Sequence, residues 1–180
     1  MTQWKIISQK SILRAEFFSV KEIEFESNTG KRKIHHEAER TPVVSVFPLT
    51  NKYEIYLVSQ YRYSLNKTSL EAVAGYIKKK ETTIDAAKRE LKEETGIEAQ
   101  SIEEIARIQM AGSVFKGAIN LFLAKGLEMG DNNLDDDEEI SVVKMPLSVA
   151  VEKVMIGEIN HSASMIGILM LDKLKSQKKL

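Results

Sequence analysis

The sequence contains no cysteine, which excludes disulfides, zinc–thiolate sites and thiol nucleophiles. It has no surplus of charge either. Its 26 basic residues cancel 26 acidic ones, so no global field draws it to nucleic acid or to anionic membranes. A polyanionic ligand must therefore be handled by local charges or by bound metal. No apolar run approaches the roughly eighteen residues of a membrane span, and no signal-peptide core follows Met1. Together with the missing cysteines this predicts a cytoplasmic protein that engages neither membrane nor nucleic acid. What is present is an ordinary globular balance, 43% apolar and 29% charged over 180 residues. That suits one domain, or one domain with a modest extension, around a core of real size.

Along the chain, residues 4–7 and 17–25 read as strands. Ser27-Asn28-Thr29-Gly30 is a turn signal, after which residues 31–36 can return as a partner strand. This β-rich segment is too thin to make a core alone, and it must pack on the rest of the chain or on another copy. Dense β-formers follow at 43–47 and 55–58, and residues 70–74 form an apolar stretch closed by Gly75. The spacing predicts a helix over 82–95, with Thr82 or Thr83 as N-cap, Asp85 in the first turn and Gly96 as the C-terminal cap. Strands are expected at 105–110, 119–124 and 140–143, an acidic loop over 127–139, and helices over 147–156 and 162–175. Mixed strands and helices without repeats point to an α/β or α+β domain over 41–180, with a β-rich extension over 1–40.

The chemically informative stretch is GYIKKKETTIDAAKRELKEETGI, residues 75–97. On a helix Glu90 and Glu94 stand one turn apart, and Glu93 borders the same face. Such a cluster repels itself by about 0.2–0.5 kcal/mol per like-charged i, i+4 pair. Arg89 and Glu93 could form an i, i+4 ion pair on a solvated face. A hard divalent cation would instead turn the repulsion into attraction, because Mg2+ and Mn2+ prefer oxygen ligands of this kind.

The stretch resembles the box of the Nudix hydrolases, G-x5-E-x7-R-E-U-x-E-E-x-G-U with U aliphatic. Every specified position matches, from Gly75 and Glu81 through Arg89, Glu90, Glu93 and Glu94 to Gly96. Chance would produce that roughly once in ten billion starting points. The resemblance implies a Nudix fold, an α/β/α sandwich with a mixed central sheet. It also implies Mg2+ (Mn2+ as the alternative) held by Glu90, Glu94, Glu93 and the carbonyl of Ala74. Gly75 would let the backbone turn close to the site, Arg89 would orient the glutamates, and Glu81 would support the loop leading into the helix. The reaction implied is attack of an activated water on a pyrophosphate phosphorus.

Sequence outside the box bears on the substrate. Glu71-Ala72-Val73-Ala74-Gly75 and Gln60-Tyr61-Arg62 are similar to motifs of the ADP-ribose and nucleoside-diphosphate-sugar pyrophosphatases. In that subgroup the arginine contacts substrate phosphates or ribose, and Arg40 is a second candidate. Members also exchange an N-terminal β segment between two subunits, which implies a homodimer and an adenine-stacking ring from Phe17 or Phe18. Asp136 and Glu138, in the acidic run before Ile140, match the loop carboxylate that serves as catalytic base or extra metal ligand. The segment Gly157-Glu158-Ile159-Asn160-His161-Ser162-Ala163 also looks like the subgroup's ending, with His161 expected as a helix-start or surface residue.

One departure concerns a proline that ADP-ribose-specific enzymes carry about sixteen residues past the box. Here that neighbourhood is Met110-Ala111-Gly112-Ser113, with no proline, which weakens ADP-ribose in particular and brings in GDP-mannose and other nucleotide sugars. The expected activity is thus hydrolysis of ADP-ribose or a related nucleoside-diphosphate sugar to a nucleoside monophosphate and a sugar phosphate. The alternatives are GDP-mannose, a dinucleotide, a nucleoside triphosphate or capped RNA as substrate, or a nucleotide-sensing module without turnover.

Overall fold

A computed structural model of the chain describes residues 3–130 and 140–180. The described chain divides into two compact units, one of residues 1–42 and 109–118, the other of residues 43–108 and 119–180. In the first unit, β1 (Trp4–Arg14), β2 (Phe18–Ser27) and β3 (Arg32–Arg40) form an antiparallel meander. The turn between β2 and β3 is tied by Ser27 Oγ, which accepts from the N–H groups of Thr29 and Lys31, while Gly30 takes φ 78°. A two-residue strand numbered β9 (Phe115–Lys116), not legible beforehand, pairs in parallel with the end of β3. β1 is exposed along its whole length, Trp4, Ile6, Ile7, Ile12 and Leu13 included.

The second unit holds β4 (Val43–Pro48), β5 (Glu54–Arg62), β6 (Lys67–Glu71), β7 (Val73–Tyr76), α1 (Thr83–Thr95) and β8 (Ile97–Gln109), followed by β10 (Ala118–Met129), β11 (Ile140–Pro146), α2 (Leu147–Met155) and α3 (Ser162–Ser176). A mixed sheet runs β7-β4-β10-β8, with β4 parallel to β10 and antiparallel to β7. An antiparallel sheet runs β11-β5-β6. Side-chain alternation along β4 and β10 explains why both faces of the mixed sheet are covered. Val44, Val46 and Phe122 turn to a core shared with Ala86, Ala87 and Leu91 of α1. Phe47, Leu121 and Leu123 turn the other way, to Leu147 of α2 and Ile168 and Leu171 of α3. α3 comes so close that a Cβ on Gly167 would lie 1.9 Å from Phe47 Cζ. The fold is the mixed α+β architecture expected from the sequence.

Several boundaries differ from expectation, β1 among them, which runs from Trp4 to Arg14 and not only over 4–7. Residues 127–129, expected in the acidic loop, continue β10 to Met129. The strand expected at 105–110 begins directly after the helix cap, at Ile97. The apolar stretch 70–74 is two strands, because the chain leaves the β5–β6 sheet after Glu71 and joins β4 at Val73. Ala72, between them, sends its N–H to Ser164 Oγ at 2.8 Å instead of into a ladder.

Candidate active site

α1 begins where the sequence says it should. Thr82 is the N-cap, its side chain accepting from the Asp85 N–H, and Gly96 closes the helix at φ 70° with its N–H on Lys92 O. The glutamates lie at the edge of the face that buries Ala87 and Leu91, and burial grades them. Glu94 is 5% exposed, while the side chains of Glu90 and Glu93 are 12% and 32% exposed. Glu94 Oε2 accepts from the Ala74 N–H at 3.3 Å. Glu90 lies flat against Gly75, where a Cβ would meet its Oε1 at 1.9 Å. This position is glycine because any side chain there would occupy the space of the Glu90 carboxylate. Burial pushes the Glu90 carboxyl above its usual range, against the opposing pull of Arg89.

Arg89 is the hub. Its Nε and Nη2 donate to the two oxygens of Glu81 at 2.8 and 3.0 Å, and Nη2 also reaches the Tyr76 carbonyl at 2.9 Å. Its Nη1 donates to Glu90 Oε1 and to Glu93 Oε2, each at 2.7 Å. These carboxylates, Glu81 foremost, hold the guanidinium proton more firmly than usual, against the opposing effect of burial. Arg89 in turn keeps the Glu81 carboxyl below its ordinary range. Glu81 also takes the Lys78 N–H at 2.8 Å, which fastens the loop before α1 to the same cluster. Among the described residues, no three histidine, aspartate or glutamate side chains converge as a ready metal cage. Glu90 and Glu93 each turn an oxygen to Arg89 instead.

The second part of the site lies at the end of β5. Arg62 grips Glu71 through two hydrogen bonds, Nε to Oε1 at 3.1 Å and Nη2 to Oε2 at 2.7 Å. Glu71 is almost fully buried, whereas Arg62 keeps more than a third of its side chain exposed. Burial raises the Glu71 carboxyl, but the Arg62 bonds, the charge of His161 and a bond from Ser69 outweigh it and hold it below the usual range. Glu71 and Ala74 are joined through Ala72 and Val73, so the Arg62 pair and the glutamate cluster share one short strap of backbone.

The remaining sequence candidates lie on other elements or outside the described residues. Arg40 ends β3, and Phe17 and Phe18 flank the start of β2. All three belong to the first compact unit, and both rings are exposed. Asp136 and Glu138 lie outside the described residues. His161 immediately precedes α3, and its Nδ1 lies 2.8 Å from Ser164 Oγ. Ser164, the Tyr76 carbonyl and the role of Ala72 as a sheet crossover were not read from the sequence. Ser164 stands 92 positions from its backbone partner, and no local pattern marks so distant a pairing.

The stretch that resembles the Nudix box runs from Gly75 in β7 through α1 to Ile97, and comparison with known proteins shows the family. The NUDIX domain model matches residues 39–164. The chain belongs to the Nudix hydrolase family. It is 29% identical over 174 residues to a methanol dehydrogenase activator of Bacillus methanolicus, covering 91% of this chain and 92% of that protein. It is 28% identical over 184 residues to an ADP-ribose pyrophosphatase of Bacillus subtilis (strain 168), covering 97% of this chain and all of that one, 100%. Among solved structures, the crystal structure of an ADP compounds hydrolase is similar with a TM-score of 0.85 at 23% identity, covering 99% of this chain and 97% of that chain. Among the described residues, no helix is long and apolar enough to cross a membrane.

Proposed function

We propose that the protein hydrolyses the pyrophosphate bond of ADP-ribose or a related nucleoside-diphosphate sugar, with Mg2+ or Mn2+ as cofactor. The observation that carries this reading is the burial of Glu90 and Glu94 against the Ala74–Gly75 backbone. Two desolvated carboxylates side by side are costly, and a divalent cation offsets that cost with oxygen ligands of the type it prefers. The donor set therefore fits the ion: Glu90 and Glu94 would hold it, with Glu93, the Ala74 carbonyl and water completing the shell. When bound, the cation neutralises the pyrophosphate and acidifies a water.

The chain's own residues supply the rest. Arg89 keeps Glu90 and Glu93 oriented from behind, with Glu81 fixing Arg89. Arg62, exposed on one side and anchored by Glu71 on the other, binds the substrate's phosphates or ribose. Arg40 adds a second cation, and Phe17 or Phe18 of a partner copy stacks on the base. Water attacks one phosphorus, the bridging P–O bond breaks, and the proton of the water passes to Asp136 or Glu138. The products are a nucleoside monophosphate and a sugar phosphate. The exposed apolar residues of β1 support a homodimer that covers them. The similarity to an ADP-ribose pyrophosphatase over 97% of this chain and 100% of that protein supports the substrate class, and a cytoplasmic location belongs to the same reading.

A second reading is a nucleotide-sensing role without turnover, favoured by the similarity to a methanol dehydrogenase activator. The test is turnover of ADP-ribose, GDP-mannose, dinucleotides and nucleoside triphosphates with Mg2+, with products resolved by chromatography. Hydrolysis of nucleoside-diphosphate sugars in preference to triphosphates is expected. Binding of these compounds without product would favour the second reading instead.

A further inference from the structure

The crossover at Ala72 lies between the two parts of the site. On one side Glu71 holds Arg62, and on the other Ala74 and Gly75 support the glutamates. A residue that leaves one ladder before joining the next must find another acceptor for its buried N–H. Here the acceptor is Ser164 Oγ, fully buried in the first turn of α3. The same oxygen shares a 2.8 Å hydrogen bond with His161 Nδ1. That ring nitrogen is 3.8 Å from Glu71 Oε2, the oxygen that accepts from Arg62 Nη2. The start of α3 thus touches both the backbone after Glu71 and the carboxylate itself.

We propose that His161 and Ser164 are positioning residues for Arg62, acting through Ala72 and Glu71; this rests on the role given to Arg62 above. A serine hydroxyl has one proton and two lone pairs. With the Ala72 N–H on one lone pair, Ser164 gives its proton to an unprotonated Nδ1 or accepts one from a protonated ring. The bond to Ala72 persists in both states, so the crossover stays fixed. A guanidinium held by two parallel bonds lies in the plane of its carboxylate. Fixing Glu71 therefore fixes the direction in which Arg62 presents its edge to a substrate. The strap from Glu71 to Gly75 is set by α3 as much as by the sheets it joins.

The test uses Ser164→Ala, His161→Ala and His161→Asn in the full chain, with ADP-ribose as substrate. Ser164→Ala and His161→Ala should raise KM about fivefold, the effect of one lost hydrogen bond, with kcat within about twofold. His161→Asn should recover most of the loss, because Asn Oδ1 can stand where Nδ1 stands and accept the Ser164 proton. In the substrate-free protein, the Arg62 Nε–H resonance should move or broaden in both alanine variants and return in His161→Asn. Should Ser164→Ala fail to fold, His161→Ala carries the test, since its ring is one-third exposed. Unchanged KM with an unmoved Arg62 resonance in His161→Ala would overturn the inference, as would a fall in kcat at constant KM. If the wild type hydrolyses no nucleoside-diphosphate sugar, the proposed function fails, while the Arg62 resonance still decides whether α3 positions that side chain.

Discussion

Alanine at Gly75 would place its Cβ 1.9 Å from Glu90 Oε1, and alanine at Gly167 would place its Cβ 1.9 Å from Phe47 Cζ. The two intrusions are equal in distance and should differ in consequence. Glu90 meets the new methyl with the far end of a flexible side chain at the edge of the site, so it can swing aside. The cost then sits at the low end of the range for overpacking, about 1 kcal/mol, a fall in Tm of about 2–4 °C for a chain of this size. The displaced carboxylate, however, no longer faces the Ala74–Gly75 backbone, and a misplacement of about 1 Å can cost on the order of 100-fold in rate. Phe47 is fully buried, with core residues on every side, and its ring cannot yield. Gly167→Ala should cost about 3 kcal/mol or more, lowering Tm by roughly 6–12 °C, while the folded fraction keeps its turnover. Thermal melts and kcat at 25 °C on soluble protein separate the two. The reasoning is refuted if Gly75→Ala keeps kcat within about threefold of wild type, or if Gly167→Ala loses turnover at an unchanged Tm.

Glu94→Gln should fold normally yet hydrolyse almost nothing, and EDTA should silence the wild type; turnover by the variant in metal-free buffer would sink the cation mechanism. Sedimentation should report about twice 20.3 kDa, and removal of residues 1–39 should leave a poorly soluble or weakly binding remnant, whereas a fully active monomer would end the exchanged-segment reading. Because Arg62 and His161 hold the Glu71 carboxyl below its ordinary value of 4.5, its contribution to stability is present above that pH and is lost as pH falls through the lowered value. Glu71→Gln should therefore flatten the acid limb of the stability curve, and an unchanged acid limb in urea titrations would contradict the assignment. Replacing the operative loop carboxylate, Asp136 or Glu138, by alanine should reduce kcat by about 10²–10⁴-fold; recovery of the rate at high Mg2+ would mark it as a metal ligand instead of a base.

Some of this molecule was legible residue by residue. The caps of α1, Thr82 and Gly96, work through backbone groups within one turn, so local sequence suffices to place them. The box spacing put Glu90, Glu93 and Glu94 on one helix and Arg89 one turn from Glu93, because helical periodicity fixes which positions are neighbours. The strands 43–47 and 55–58 followed from dense runs of β-formers. The short strand β9 did not, since two exposed residues carry no periodicity. Residues 127–129 read as the start of an acidic loop, yet Leu127 packs against the core beside α1 and the strand runs on to Met129.

By itself, then, the sequence determined the helix, its caps, the carboxylate set and the family to which the chain belongs, since all of these depend on short-range spacing. Only the tertiary structure decided how deeply each glutamate is buried and why Gly75 must lack a side chain. It also decided that the apolar stretch 70–74 breaks at Ala72, and that Ser164 and His161 stand beside Glu71. These are contacts between segments 15 to 92 positions apart. They exist only because a sheet covered on both faces brings α1 and α3 to the same strap of backbone, and no local propensity encodes that packing.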